Sequence, residues 1–371
     1  MSKVDVLVRG GGAVGLATAL ALGRQGLVVA LQRDRPALSA ADVRAYALNA
    51  GSVALLGSLR VWDALAPDAR TPVYEMHVEG DAPGAVLDFS AWSQRVEALA
   101  WIVDVPALEA ALAAALRFAP HVTEVDPAAP APAAALVVLA EGRASASRAA
   151  LGVRMPLASY GQHALAARLE TDRAHQGIAR QWFRSPDVLA LLPLDRPRPE
   201  HGYALVWSLP SARAEELRTL PEAEFELALT QASGGAAGNL SLASERATWP
   251  LALAAAERVC GPGWVLVGDA AHLVHPLAGQ GLNLGLADVR ALAEVLAVRE
   301  PWRELGDARL LARYARRRAA PTRAMAALTD GLLHLYASDA PLARAARQRG
   351  LSLVNRLEPI KRLLVARALD A

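Results

Sequence analysis

Val4-Asp5-Val6-Leu7-Val8-Arg9-Gly10-Gly11-Gly12-Ala13-Val14-Gly15 opens the chain with an apolar run, a glycine cluster and a small-residue stretch. Val4 to Val8 carries one charge, Asp5, and reads as a strand. Ala13 to Leu22 places small and apolar residues at helical spacing, and a second apolar run, Leu27 to Leu31, follows Gly26. Strand, glycine turn, helix and strand make a βαβ unit, and hence a parallel sheet with helices packed on it. In that setting Gly10-x-Gly12-x-x-Gly15 is a dinucleotide fingerprint. Its glycines permit a tight turn, let the backbone approach a pyrophosphate and bring helix against strand, while the helix start offers free N–H groups. The same spacing also suits a strand–helix contact with no ligand. Gly10, Gly12, Ala13, Val14 and Gly15 are thus the first cofactor-binding candidates. Arg33 and Asp34 join them at the end of the second strand, where an acidic residue usually grips a ribose. Arginine there favours a 2′-phosphate, so this stretch alone leaves FAD and NADP both open.

Outward from this stretch, the chain has 371 residues, of which 53% are hydrophobic and 20% charged, which excludes wholesale disorder and predicts about two domains. A net charge of +2 argues against non-specific nucleic-acid binding. Cys260, the single cysteine, rules out intramolecular disulfides and thiolate-rich metal sites. No apolar run is long enough to span a bilayer and Met1-Ser2-Lys3 leads straight into a strand, so the cytosol is the expected location. Val43 to Leu65 reads as helical, Trp101 to Leu116 as an Ala/Leu helix, and Leu136 to Leu139 as a buried strand. The proline-rich stretch at 127–135 is a spacer. Short apolar runs punctuated by Pro and Gly over 155–255 predict an antiparallel sheet. From Val265 the pattern returns to strand, loop and long helix, and beyond Pro301 it is helical and arginine-rich.

A second glycine-rich segment decides between the cofactors. It reads Trp264-Val-Leu-Val-Gly268-Asp269-Ala-Ala-His272, then Leu-Val-His275-Pro276-Leu-Ala-Gly279-Gln280-Gly281-Leu282-Asn283-Leu-Gly285, then Leu-Ala-Asp288. An aspartate after a buried strand, followed by small residues, can accept hydrogen bonds from sugar hydroxyls, so Gly268 and Asp269 are candidates for the ribityl chain or the ribose. Pro276 ends one conformation, and Gly279-Gln280-Gly281 turns the backbone into a helix beginning at Leu282. N–H groups at such a helix start face negative charge well. The segment resembles the flavin-binding segment of class A FAD-dependent aromatic hydroxylases, and its His-Pro-Leu-Ala-Gly-Gln-Gly-Leu-Asn wording is most similar to the ubiquinone-biosynthesis hydroxylase family. Asp42-x-Arg44-x-x-Ala47-Leu48 is a second match. Further matches run from Tyr160-Gly161-Gln162 through Leu192-Pro193-Leu194 and Val206-Trp207-Ser208-Leu209-Pro210 to Pro359-x-Lys361-Arg362-Leu363.

The resemblance implies an α/β fold: a Rossmann-like FAD-binding domain (1–70, 96–153 and 258–300), an inserted antiparallel β-sheet substrate domain (71–95 and 154–257) and a helical C-terminus (301–371). It implies FAD, with NADPH or NADH as electron donor. Reduced flavin would react with dioxygen at its C4a carbon, giving a hydroperoxide whose distal oxygen attacks an aromatic ring, here a hydrophobic polyprenylated phenol. Arg44, Pro276, Gly279 and Gln280 are the residues expected at the flavin ring, with Gly281, Leu282 and Asn283 completing the loop over it.

The family pattern is also broken in places. Glu141 stands where the relatives carry an aspartate in a Gly-Ala-Asp-Gly string, Val105-Pro106 replaces an Asn-Arg pair, and Arg9 replaces an apolar residue. Two other readings stay open on that account: a non-catalytic, cofactor-eroded subunit of the ubiquinone biosynthetic complex, or a hydroxylase of an unrelated small aromatic. His272 and His275 are spaced for a metal, but no third ligand lies nearby in sequence, and no metal is expected. Residues 350–371 carry Leu353, Val354, Leu357, Ile360 and Leu364 at helical spacing beside Arg356, Lys361, Arg362 and Arg367. Such a tail can rest on an anionic membrane surface at its inner face, dock on a complex, or simply pack on the protein itself.

Overall fold

The computed structural model describes residues 4–33, 42–81, 84–274 and 280–337 of the chain. Strand β1 (Val4–Arg9), helix α1 (Ala13–Gly23) and strand β2 (Val29–Gln32) form the expected βαβ unit, the strands parallel from Val6↔Val29 to Arg9↔Gln32. The single helix expected over Val43 to Leu65 is instead a strand, β3 (Ala45–Leu48), followed by α2 (Ala50–Ser58) and a 3-10 turn at Trp62–Ala64. Two contacts overrule the helical spacing. Tyr46 and Leu48 pair with Val103 and Trp101, and the Asn49 side chain caps α2 by accepting from the Ser52 N–H at 2.8 Å. Strands β4 (Arg70–Val73), β5 (Glu75–Glu79) and β6 (Val86–Ser90) and the short α3 (Ala91–Gln94) follow.

The expected helix over Trp101 to Leu116 divides in the same way. Strand β7 (Ala100–Asp104) pairs with β3 and β4, and α4 (Val105–Leu116) starts where the Asp104 carboxylate accepts from the Ala107 N–H at 2.9 Å. Pro106 sits in the first turn of α4, where a missing N–H costs nothing. Strands β8 (Val122–Val125) and β9 (Ala134–Leu139) flank the proline-rich spacer, whose last two residues belong to β9, and α5 (Ala146–Ala150) follows. The stretch expected as antiparallel sheet holds β10 (Leu157–Thr171), β11 (Ile178–Arg184), β12 (Asp187–Pro193), β13 (Gly202–Pro210), β14 (Leu240–Leu242) and β15 (Ala247–Ala255). It also holds two helices concealed by the punctuation, α6 (Ser211–Thr219) and α7 (Glu222–Ser233). Strands β16 (Cys260–Gly261), β17 (Trp264–Leu266) and β18 (His272–Leu273) and helices α8 (Gln280–Ala297) and α9 (Ala308–Ala337) complete the described chain. The amphipathic tail at 350–371, Asp34, His275, Pro276 and Gly279 lie outside the described residues. No helix among the described residues is long and apolar enough to cross a membrane.

The described strands make three sheets. The first runs β16-β17-β9-β1-β2-β8, parallel throughout except at the β16–β17 edge. Val6, Val8, Val29, Leu31, Leu136 and Val138 are wholly buried in it, as a parallel sheet covered on both faces requires. The second runs β18-β15-β10-β13-β12-β11-β5-β6 with β14 beside β10. One of its faces, including Leu165, Trp182, Leu205 and Trp207, is sealed by Leu217 of α6 and Phe225 and Leu229 of α7. Its other face meets the third sheet, β3-β7-β4, where Ala179, Leu194 and Ala204 pack on Ala47, Val73 and Ile102.

Candidate active site

Strand order reverses direction around β1, with β2 on one side and β9 on the other, and the crevice at the carboxyl ends of such strands is where α/β sheets bind ligands. Gly10 ends β1 at φ +124°, and a Cβ there would lie 2.2 Å from the Ala140 carbonyl oxygen. A Cβ on Gly15 would lie 2.1 Å from the Gly10 carbonyl oxygen, so the turn closes only with glycine at both places. Gly12, the exposed N-cap of α1, has no capping side chain, and the first N–H of the helix, on Ala13, meets the Glu109 carboxylate of α4 in the crevice. Val14 anchors the turn from behind: Cβ atoms built on Gly268 and Gly285 would meet its methyls at 3.2 and 2.6 Å.

Strand β17 leads to Gly268 (φ +61°) and Asp269, whose side chain is open to solvent although it lies deep in the crevice. Those surroundings push its carboxyl above the ordinary value, with His272 and Arg44 partly offsetting the shift. Behind the turn, Asp288 of α8 is wholly buried and accepts from the Gly268 N–H at 2.9 Å, from His272 Nε2 at 2.7 Å and from Arg318 Nε of α9 at 2.6 Å. Against the penalty of burial, His272 and Arg318 hold Asp288 below its ordinary pKa, and Asp288 in turn holds His272 above its own. This His–Asp–Arg cluster fixes the peptide preceding Asp269. An acid set among apolar residues in α8, Leu-Ala-Asp288-Val, was its only signal in the sequence. His272, raised above as one half of a metal-spaced pair, is thus committed to Asp288.

Gln280, Gly281, Leu282 and Asn283 form the first turn of α8. Asn283 is wholly buried. Its Nδ2 donates to the Ala47 carbonyl at 2.8 Å, and its Oδ1 accepts from the Asn49 N–H at 3.0 Å and the Ser52 hydroxyl at 2.7 Å. Its amide therefore ties α8 to β3 and α2, and the residue is spent on holding the fold together.

Arg44 is half-buried and chelated by Asp42, with Nε–Oδ1 at 2.9 Å and Nη2–Oδ2 at 2.6 Å, and its pKa is raised by that hydrogen bonding. Glu109 of α4 stands 4.0 Å from the same guanidinium. Arg168 of β10 is buried and donates to the Arg44 carbonyl at 2.7 Å and to Asp104 Oδ2 at 3.1 Å, so the large sheet is clamped to the segment carrying Arg44. Glu109, Arg168 and Tyr46, whose hydroxyl pKa is raised by burial, escaped sequence reading because only the tertiary fold brings them to the crevice.

The FAD binding domain family matches residues 3–127 and 131–329. Ubiquinone hydroxylase UbiL of Rhodospirillum rubrum is 32% identical across 98% of this chain and 89% of its own length. The 3-demethoxyubiquinol 3-hydroxylase of Escherichia coli is 30% identical across 98% of both chains. The chain belongs to the ubiquinone-biosynthesis FAD hydroxylase family. Among solved structures, p-nitrophenol 4-monooxygenase PnpA from Pseudomonas putida superposes with a TM-score of 0.79 at 19% identity, covering 100% of this chain and 99% of that one. PqsL of P. aeruginosa, in complex with 2-aminobenzoylacetate, reaches 0.79 at 21% identity over 95% of this chain and all of its own. These two share the fold.

As a member of this family the chain has FAD as its cofactor, and the crevice fits it: glycine backbone at the α1 start and an accessible aspartate beyond β17. The departures from the family pattern find partners in one another. Arg9 donates from Nε to Gln32 Oε1 at 2.9 Å and from Nη1 to the Ser147 hydroxyl at 2.8 Å. Glu141 accepts from the Ser145 hydroxyl at 2.5 Å and from the Ser147 N–H and hydroxyl at 3.1 and 2.7 Å, with Arg9 3.9 Å away. Arg33 pairs with Glu124 of β8 at 3.1 Å, so its guanidinium is already engaged.

Proposed function

We propose that the chain is a monooxygenase that hydroxylates the ring of a polyprenylated phenol on the way to ubiquinone. The observation that carries this reading is a row across the large sheet. Ala166, Val206, Ala190 and Gln181 stand in register, on the face opposite α6 and α7. The neighbouring row on that face, Arg168, Ala204, Leu192 and Ala179, packs toward β3, β7 and Arg44. Val206, Ala190 and Gln181 remain half-buried, an apolar wall with one amide beside the crevice. Such a wall accepts an aromatic ring and excludes water from it.

FAD supplies the reactivity toward dioxygen when bound. The chain's own residues bind and orient. Gly10, Gly12, Ala13, Val14 and Gly15 hold the pyrophosphate, and Asp269 accepts from the sugar-chain hydroxyls. Arg44 lies near the flavin, and the start of α8 from Gln280 to Asn283 is assigned to its ring; Pro276 and Gly279 are assigned there on the sequence alone. We assign the six-stranded sheet to the cofactor-binding domain and the nine-stranded sheet to the substrate-binding domain. NADPH or NADH is the proposed electron donor. Salt-sensitive contact with a membrane surface or a biosynthetic complex through 350–371 is proposed on the sequence of that segment alone.

The mutual engagement of Arg9, Glu141 and Ser147 favours catalysis over a cofactor-eroded subunit, because the altered positions form a built network instead of unpaired remnants. Quinone profiling of a strain lacking the gene tests the reading. We expect less ubiquinone and an accumulated under-hydroxylated prenylphenol, restored by the wild-type gene and not by one encoding Asp269→Ala. An unchanged quinone profile in a strain with no redundant hydroxylase would redirect the search to another aromatic.

A further inference from the structure

The start of α1 is the position a pyrophosphate takes in this fold, and it faces a carboxylate of the chain itself. Glu109 Oε1 lies 3.8 Å from where a Gly12 Cβ would stand, and the Ala13 N–H stabilises its charge. The cation facing it is Arg44, at 4.0 Å, and that guanidinium is chelated by Asp42 at 2.6 to 3.0 Å. Two carboxylates therefore share one arginine at the turn. Burial pushes the Glu109 carboxyl above its ordinary pKa and Asp42 adds to this, while Arg44 and the Ala13 N–H offset it only in part. A pyrophosphate arriving there brings further negative charge against the same N–H groups and the same arginine.

We propose that Glu109 sets the affinity for FAD: its carboxylate is an internal anion at the pyrophosphate turn, competing with the cofactor, and removing its charge tightens binding. FAD binding is then linked to proton uptake by Glu109 wherever that carboxyl is ionised in the free protein. Because the neutral form binds better, wild-type affinity declines as pH rises through the raised Glu109 pKa, and a glutamine at this position removes the decline.

Titration of apo-protein with FAD, followed by quenching of flavin fluorescence, tests the proposal in full-length wild type and Glu109→Gln. We expect the variant to bind tighter by about tenfold or more at about pH 8, with the gap closing toward about pH 5. Calorimetry of wild type in buffers of different ionisation enthalpy should show proton uptake on binding, a readout that needs no variant. Equal or weaker binding by a Glu109→Gln protein with wild-type circular dichroism overturns the proposal, as does the absence of proton uptake. If neither protein binds FAD, the cofactor assignment falls together with it.

Discussion

Asp269 and Glu141 are both acids just beyond a strand of the parallel sheet, yet their surroundings set them to opposite tasks. Asp269 is accessible and its charge is disfavoured before a ligand arrives, whereas Glu141 is saturated by Ser145 and Ser147. Asp269→Ala should therefore lose FAD while its apo-form melts no lower than wild type. The sign follows from the raised pKa, since a carboxyl shifted upward in the fold destabilises the fold once it ionises. Glu141→Ala should keep FAD but lose stability by about 1.5–3 kcal/mol, the range for hydrogen bonds to a charged group, read from urea denaturation. Flavin retained by Asp269→Ala and lost by Glu141→Ala would reverse the two roles. From sequence, Glu141 looked like a weakened cofactor contact because its partners Arg9 and Ser147 lie 138 residues apart in the chain.

At the scale of elements, the sequence was most legible where one pattern governs a whole segment: β1, α1, β2 and β9 stand where strand and helix spacing put them. It was least legible where a strand runs directly into a helix. Asn49 and Asp104 are N-caps in plain view, but the apolar residues on either side of them also fit one continuous helix, and only pairing among β3, β7 and β4 divides them. Helix α8 carries the strongest mutational prediction. Asp288→Asn leaves Arg318 and His272 buried without their counter-charge and should destabilise the fold by about 3–5 kcal/mol in denaturant unfolding. The pH response gives a second signature. His272 has a raised pKa, so its contribution is fully present below its unfolded pKa of about 6.5 and is lost as pH rises through the folded value. Melting temperature measured across that window should fall in wild type, and the fall should vanish in Asp288→Asn. A slope that persists in the variant would place its origin at another group.

Over the whole molecule, the cofactor side could be read from motifs and the substrate side could not. The row Ala166, Val206, Ala190 and Gln181 exists only through the register of four strands, and none of its members is unusual in its own segment. A charge in that row should separate the two sides: Val206→Asp should retain FAD and lose ring hydroxylation by at least about tenfold, because an unpaired carboxylate disfavours an apolar ring there. Equal turnover in variant and wild type would move the substrate elsewhere. The membrane or complex contact assigned to residues 350–371 is tested by truncation after Gly350 and co-sedimentation with anionic vesicles. Full-length protein should partition more at low salt, and identical partitioning would reduce the tail to a packing element. Everything else depends on the crevice holding flavin, and the visible absorption spectrum of the purified protein reads that directly. The account predicts flavin bands, present on isolation or after incubation with FAD and removal of the excess, with free FAD released on denaturation. A preparation that stays colourless after that incubation contradicts it.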